Sequence, residues 1–212
     1  GVGGMGAGDV NGCSSEDFIA LCDVDEQKGA EMFTRMPDAK KYKDYRVMLE
    51  EMGDQIDAVT VSTPDHTHAP AAMMAMQMGK PVYCQKPLTH EVFEARQMRL
   101  VAEEKNLATQ MGIQIHSSAV YRRAVLMIQS GVIGKVSQVH AWSNKNWGYD
   151  GGPLTEQHEV PPELDWNLWL GGAPTRPYHP AYHPRAWRGW IDFGTGALGD
   201  MAIHNVDPAF YA

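Results

Sequence analysis

No apolar run in this chain reaches the ~18 residues that a helix needs to cross a bilayer, so no membrane-spanning segment is expected. Basic residues are outnumbered: 18 Lys and Arg face 26 Asp and Glu, a net charge of −8. Nucleic acid and anionic membrane surfaces both demand basic patches, so neither is expected as the main partner. Cysteine is scarce and odd in number (Cys13, Cys22, Cys84). Two of the three lie in apolar, strand-like runs and read as buried, reduced thiols rather than a disulfide framework. There is no internal repeat and no low-complexity linker. The chain opens at Gly1 with neither an initiator methionine nor a leader, so any targeting segment ahead of it is invisible; the cytoplasm is the expected compartment, with export by a lost leader left open. What remains is 212 residues, enough to bury the core of one large domain or one and a half.

The centre of the pattern is Val82-Tyr83-Cys84-Gln85-Lys86-Pro87-Leu88. The apolar run reads as a short buried strand, and Pro87 ends the ladder because it has no N–H to donate. Lys86 therefore projects from the carboxyl end of a strand, the edge at which open α/β sheets bind their ligands. Near a nicotinamide such a lysine can carry a proton, since partial burial and a cationic ring lower its affinity for one. The alternative is an ordinary surface lysine.

Upstream, Gly1, Gly3 and Gly6 fit G-x-G-x-x-G, with Gly4 and Met5 completing the turn. The glycines permit a tight turn and close approach of backbone to a pyrophosphate, and the helix that follows offers its N–H groups. Phe18 to Cys22 is an apolar strand ending in Asp23, 17 residues after Gly6. An acidic residue near that distance accepts hydrogen bonds from an adenosine ribose and repels a 2′-phosphate, which favours NAD and leaves NADP possible. A helix N-cap is the competing role for Asp23. Helices are expected over 26–36, 45–52, 69–78 and 90–105, and strands over 56–61 and 108–115. Thr63-Pro64-Asp65-His66-Thr67-His68 reads as a polar loop at a strand's carboxyl end, facing the cofactor. An H-x-H pair without a nearby thiol is no specific metal signal. This β–α alternation is that of a doubly wound parallel sheet.

The pattern changes beyond about residue 115. Residues 120–130 form a helix stopped by Gly131, and 135–142 alternate as a strand with one exposed face. Residues 144–190 carry five tryptophans among Pro, Gly, Tyr and His, which would be costly to leave in water. Those aromatics could stack on a sugar ring or simply pin a long loop. His179 and His183 stand four apart, but Pro180 and Pro184 forbid the helix that would align them, so no metal site is expected there. Finally, Asp200, His204 and Asp207 share one stripe of a helix, where a carboxylate one turn from an imidazole can orient it for acid–base work.

As a set, these residues resemble the glucose–fructose oxidoreductase / inositol dehydrogenase family (Gfo/Idh/MocA). The set comprises the Gly-rich start, Leu21-Cys22-Asp23, Thr63 to His68, Gly79-Lys80-Pro81-Val82, Lys86-Pro87, and the D-x-x-x-H of Asp200 and His204. The resemblance implies a Rossmann-like dinucleotide-binding domain over 1–115, followed over 116–212 by an incomplete second α/β domain. It implies NAD as cofactor, held by Gly1, Gly3, Gly4, Met5, Gly6, Asp23, Thr63, Pro64, His66, His68, Gln85, Lys86 and Gln114. Lys86 and His204 become the proton-handling pair, and Asp200 positions the substrate and His204. The activity implied is hydride transfer between a nicotinamide and a sugar, cyclitol or sugar derivative, with no metal. A redox-assisted glycoside hydrolase and a non-catalytic dinucleotide-binding protein are the alternatives. A homo-oligomer built through the second domain's sheet is implied for the full-length protein. Gln85 departs from the family's usual glutamate; it keeps hydrogen-bonding capacity but not charge, so Lys86 loses one possible ion-pair partner. The family's first strand and most of its second sheet are missing, so the sequence reads as a fragment with an uncovered sheet edge and apolar surface.

Overall fold

The computed structural model describes residues 1–184 and 186–212. Its first half alternates helix and strand: α1 (Met5–Gly12), β1 (Ala20–Cys22), α2 (Glu26–Arg35), β2 (Lys40–Tyr42), α3 (Tyr45–Met52), β3 (Val59–Val61), α4 (Asp65–Gln77), β4 (Val82–Gln85), α5 (Val92–Glu104) and β5 (Thr109–Gly112). Apart from a single antiparallel bridge that joins Asp25 to Leu164, the five described strands pair in parallel, β1 with β2 and β3–β4–β5 with β4 in the centre. This is the Rossmann arrangement expected from the alternation, and crossover helices are what parallel neighbours require. β2 has no sequence signature, because Lys40 and Lys41 are exposed and only Tyr42 turns partly inward.

The central strand is buried through Val82, Cys84 and Gln85. Ala72, Ala75 and Met76 of α4 and Met98 and Val101 of α5 pack with Val61, Val82 and Cys84 in the main core. The alanines let α4 lie close to the sheet, and the methionines fill what is left. A second cluster of Val2, Val10, Leu21, Met32 and Ala39 seats the glycine-rich turn against β1 and α2. Burial pushes the Cys22 thiol up to about 11 and the Cys84 thiol up to about 12, and all three cysteines are free.

The second half holds α6 (Ala119–Gln129), α7 (Trp166–Leu170), α8 (Gly196–Asn205) and α9 (Asp207–Tyr211). Residues 135–142 are not a strand; they are irregular and exposed, with Trp142 82% accessible. A strand needs a partner edge to satisfy its backbone, and the five strands described all lie between residues 20 and 112. In the long aromatic tract, Trp166, Trp169 and Trp187 are buried with Tyr182 and Phe193, so those indoles pin the tract rather than offer faces to a ligand. The tract docks on the first half where Asp165 N–H donates to Val24 O (2.9 Å) and Glu26 N–H to Glu163 O (3.1 Å). No helix among the described residues is long and apolar enough to cross a membrane.

Candidate functional site

The glycine-rich turn spans the gap between the two strand groups. Asp23, at the end of β1, accepts from Val2 N–H (2.8 Å) and Gly3 N–H (3.1 Å) through one carboxylate oxygen. On the other side, a Cβ on Gly1 would stand 2.7 Å from Ser62 O, past the end of β3. A Cβ on Gly3 would press on Lys28 O, and one on Gly6 would collide with Gly1 O. Gly4 takes φ +55°, which side chains rarely adopt, and Met5 opens α1. The turn is thus a backbone-lined cradle at a helix N-terminus, the chemistry that fits a pyrophosphate. Asp23 is not a helix cap; Asp25 caps α2, accepting from Lys28 N–H at 3.0 Å.

Thr63 and Pro64 follow β3, but the loop expected through His68 ends sooner, because α4 begins at Asp65. His66 and His68 are therefore buried helix residues. The His66 ring lies between Trp169 O (2.9 Å) and Phe193 O (3.2 Å), and the His68 ring between Thr63 O and Pro87 O, both at 2.7 Å. Both imidazoles have their nitrogens occupied by protein carbonyls, so they brace the site rather than face into it. Burial pushes the His66 imidazole below its usual range, more strongly than its two carbonyl partners raise it. Asp65, also buried, accepts from Thr195 at the start of α8.

Lys86 stands past the end of β4. Its Nζ donates to Asp200 Oδ1 (2.6 Å) and to Asp200 O (3.0 Å), and the two side chains are only 14% and 13% exposed. The ion-pair partner of Lys86 is thus supplied by α8 rather than by position 85. Gln85 instead donates from Nε2 to Asp9 of α1 (2.8 and 3.0 Å), whose carboxylate also takes a hydrogen bond from Ser62 Oγ (2.5 Å). Gln114, past β5, lies near Met5, with its Nε2 3.9 Å from the thioether sulfur.

Asp200 and His204 do fall one turn apart on α8, but Asp207 leaves the stripe. The helix ends at Asn205, and Asp207 opens α9, where it accepts from Tyr121 Oη (2.5 Å) and faces His116 Nδ1 (2.8 Å). Asp200 does not hydrogen-bond His204 among the described residues. Its second oxygen accepts from Trp147 Nε1 at 2.6 Å, and Arg188 Nε lies 3.5 Å from the first. Burial alone would raise the Asp200 carboxyl, but the bond and charge of Lys86, with Trp147 and Arg188, outweigh it and hold the group low. Burial, then the Lys86 charge, pushes the His204 imidazole below its usual range, so it is neutral at pH 7. Trp147 and Arg188 went unread in the sequence, because they lie in the long tract that has no periodicity to place them. Elsewhere, Glu156, His158 and His179 bring one ligand atom each within 4.8 Å of one another. His179 Nδ1 accepts from Ala181 N–H (3.0 Å).

This parallel sheet and its backbone cradle define a dinucleotide-binding Rossmann fold. A family model described as an oxidoreductase family with an NAD-binding Rossmann fold matches residues 1–113, and its companion C-terminal α/β domain matches 121–212. The chain belongs to the Gfo/Idh/MocA oxidoreductase family. Levoglucosan dehydrogenase of Pseudarthrobacter phenanthrenivorans is 24% identical over 90% of this chain and 41% of that protein. Inositol 2-dehydrogenase 2 of Mycolicibacterium vanbaalenii is 28% identical over 75% of this chain and 48% of that protein. The chain thus spans less than half the length of these relatives. Among solved structures, GenD2 from gentamicin A biosynthesis, in complex with NAD, superposes with a TM-score of 0.55 at 27% identity, over 60% of this chain and 36% of that one.

Proposed function

We propose that the protein is an NAD-dependent oxidoreductase acting on a CH–OH group of a sugar, cyclitol or sugar derivative. The observation that carries this reading is the 2.6 Å bond between Lys86 Nζ and Asp200 Oδ1, which brings an amine from the end of β4 to the helix bearing His204. The names of the relatives, a levoglucosan and an inositol dehydrogenase, agree with it. NAD supplies the hydride acceptor or donor when bound, cradled by Gly1, Gly3, Gly4, Met5 and Gly6. Asp23 favours it over NADP, because its carboxylate at the end of β1 opposes a 2′-phosphate.

The proton chemistry belongs to this chain. His204, held neutral by burial and by the Lys86 charge, takes the hydroxyl proton when the carbinol is oxidised and returns it when the carbonyl is reduced. Lys86 has three N–H donors, of which two are engaged by Asp200. The third has no partner among the described residues and can hydrogen-bond the reacting oxygen and stabilise charge that builds there. Asp200 acts on Lys86, as a positioning residue, rather than on His204.

The test is to incubate the full-length protein with NAD and a panel of sugars, cyclitols and aryl glycosides. Net NADH formation that is abolished in Lys86→Ala supports the reading. Aglycone release without net NADH identifies the redox-assisted glycosidase instead, and neither signal points to a binding protein.

A further inference from the structure

Lys86, Arg188 and Lys145 gather around a single carboxylate and a single indole. Lys86 Nζ and Arg188 Nε approach Asp200 Oδ1 at 2.6 and 3.5 Å, while Trp147 Nε1 donates to Oδ2. The Trp147 ring in turn carries Arg188 and Lys145, each 5.6 Å from its centroid. Two cations thus face one carboxylate and a third lies over the indole that donates to it, so positive charge exceeds negative in this cluster, in a chain whose net charge is −8. His204 is neutral and adds nothing, and Asp207 is turned to Tyr121 and His116. Such a local excess attracts an anion.

Arg188 is the group built to receive it. Its guanidinium stacks 4.2 Å from the centre of the Trp187 ring and also overlies Trp147, which fixes its plane. Among the described residues no hydrogen bond engages its Nη1 or Nη2, and the side chain is 27% exposed. A guanidinium held flat with its outer donors free is preorganised for a planar, two-oxygen partner. The Asp200 carboxylate stands 3.5 Å from Nε and would repel a dianionic phosphate more strongly than a singly charged carboxylate.

We propose that Arg188 pairs with a carboxylate on the substrate, so that the site prefers a uronic-acid sugar to its neutral counterpart. The proposal rests on the sugar oxidoreductase reading for the sugar, but its test does not depend on turnover. In the full-length protein saturated with NAD, calorimetry would compare methyl glycopyranosiduronic acids with the corresponding neutral methyl glycopyranosides, in gluco, galacto and manno configurations. At least one uronate should bind about tenfold tighter than its neutral partner, the range for a hydrogen bond to a charged group. Arg188→Met should erase that difference while neutral-sugar binding persists. Arg188→Lys, which keeps charge but loses the fork, should retain only part of it. In the wild type, the preference should shrink as salt rises, which reads the charge even if Arg188→Met does not fold. A panel in which no uronate outbinds its neutral partner overturns the proposal. So does a preference that survives in Arg188→Met, or tighter binding of the matching sugar phosphate. A protein that binds uronates selectively yet makes no NADH refutes the hydride-transfer reading alone.

Discussion

Asp65 Oδ2 accepts two hydrogen bonds from Thr195, one from its backbone N–H (3.1 Å) and one from its hydroxyl (2.9 Å). Asp65 opens α4 and Thr195 precedes α8, so this contact fixes the start of the helix that carries Asp200 and His204. The next residue of α4 repeats the function: His66 N–H donates to Phe193 O at 3.3 Å. One turn further, His68 lies 2.7 Å from Pro87 O, beside Lys86. The Thr63–His68 motif thus ties together the start of α8, which carries Asp200 and His204, and the strand end that carries Lys86.

Asp65→Ala should therefore slow turnover without weakening NAD. It leaves the Thr195 donors unpaired, at a cost of about 1–3 kcal/mol, and releases the first turn of α8. Small misplacement of reacting groups costs up to about a hundredfold in rate. The expected outcome is a fall in kcat of about tenfold to a hundredfold with the Kd for NAD, measured by titration, unchanged. An equal loss in NAD affinity would place Asp65 in the nucleotide site instead.

Removing either group proposed to meet the reacting oxygen should cost more. His204→Gln should lower kcat by about a hundredfold to ten-thousandfold, the usual range for a general base, and Lys86→Ala by about a hundredfold to a thousandfold, the range for losing a charge-stabilising donor. The pH profile separates their roles. A His204 imidazole pushed below its ordinary 6.5 remains a base under mildly acidic conditions. Oxidation should then hold its rate through pH 6.5 and fall only below it, and His204→Gln should remove that acid limb. A limb that persists in His204→Gln assigns the base elsewhere.

The parallel sheet, the glycine turn and the Lys86 strand end were legible because each rests on local pattern: an apolar run, a spacing of glycines, a proline that stops a ladder. The partners of those residues were not. Gln85 reads as a lost charge, yet the missing carboxylate stands on α1 as Asp9, and the one that pairs with Lys86 stands 114 residues away. Asp207 fits the helical stripe by number, but α8 ends at Asn205. His66 and His68 read as residues of a polar, cofactor-facing loop, because nothing local reveals that Trp169, Phe193 and Pro87 bring their carbonyls to them. The strand expected over 135–142 fails for the same reason, since alternation sets a face but a ladder needs a neighbour.

Phe193 is the residue on which the aromatic tract closes. It is fully buried, within 4.8 Å of the Trp169 ring centre and 5.4 Å of Tyr182, and its carbonyl meets His66. Phe193→Ala should destabilise by about 3–5 kcal/mol, the range for deleting a buried ring. Phe193→Leu, which keeps most of the volume, should cost less than half of that. Chemical denaturation measures both, and equal losses in the two variants would mean that shape rather than burial governs the site.

Stability should also depend on pH through His66. Its folded imidazole sits below the ordinary 6.5, because burial disfavours the charge, while the unfolded chain titrates near 6.5. Above 6.5 both states carry a neutral ring, and the contribution of the buried imidazole is fully present. As the pH falls through 6.5, the unfolded state takes up a proton that the folded state refuses, so stability declines until the folded value is reached. One such imidazole contributes a slope of at most about 1.4 kcal/mol per pH unit. His66→Gln keeps a hydrogen-bonding side chain but cannot titrate, so it should be less stable than wild type at pH 8 yet lose less on acidification. Urea midpoints from pH 8 to pH 5 decide the matter: parallel curves for the two proteins would show that the proton taken up on unfolding does not belong to His66.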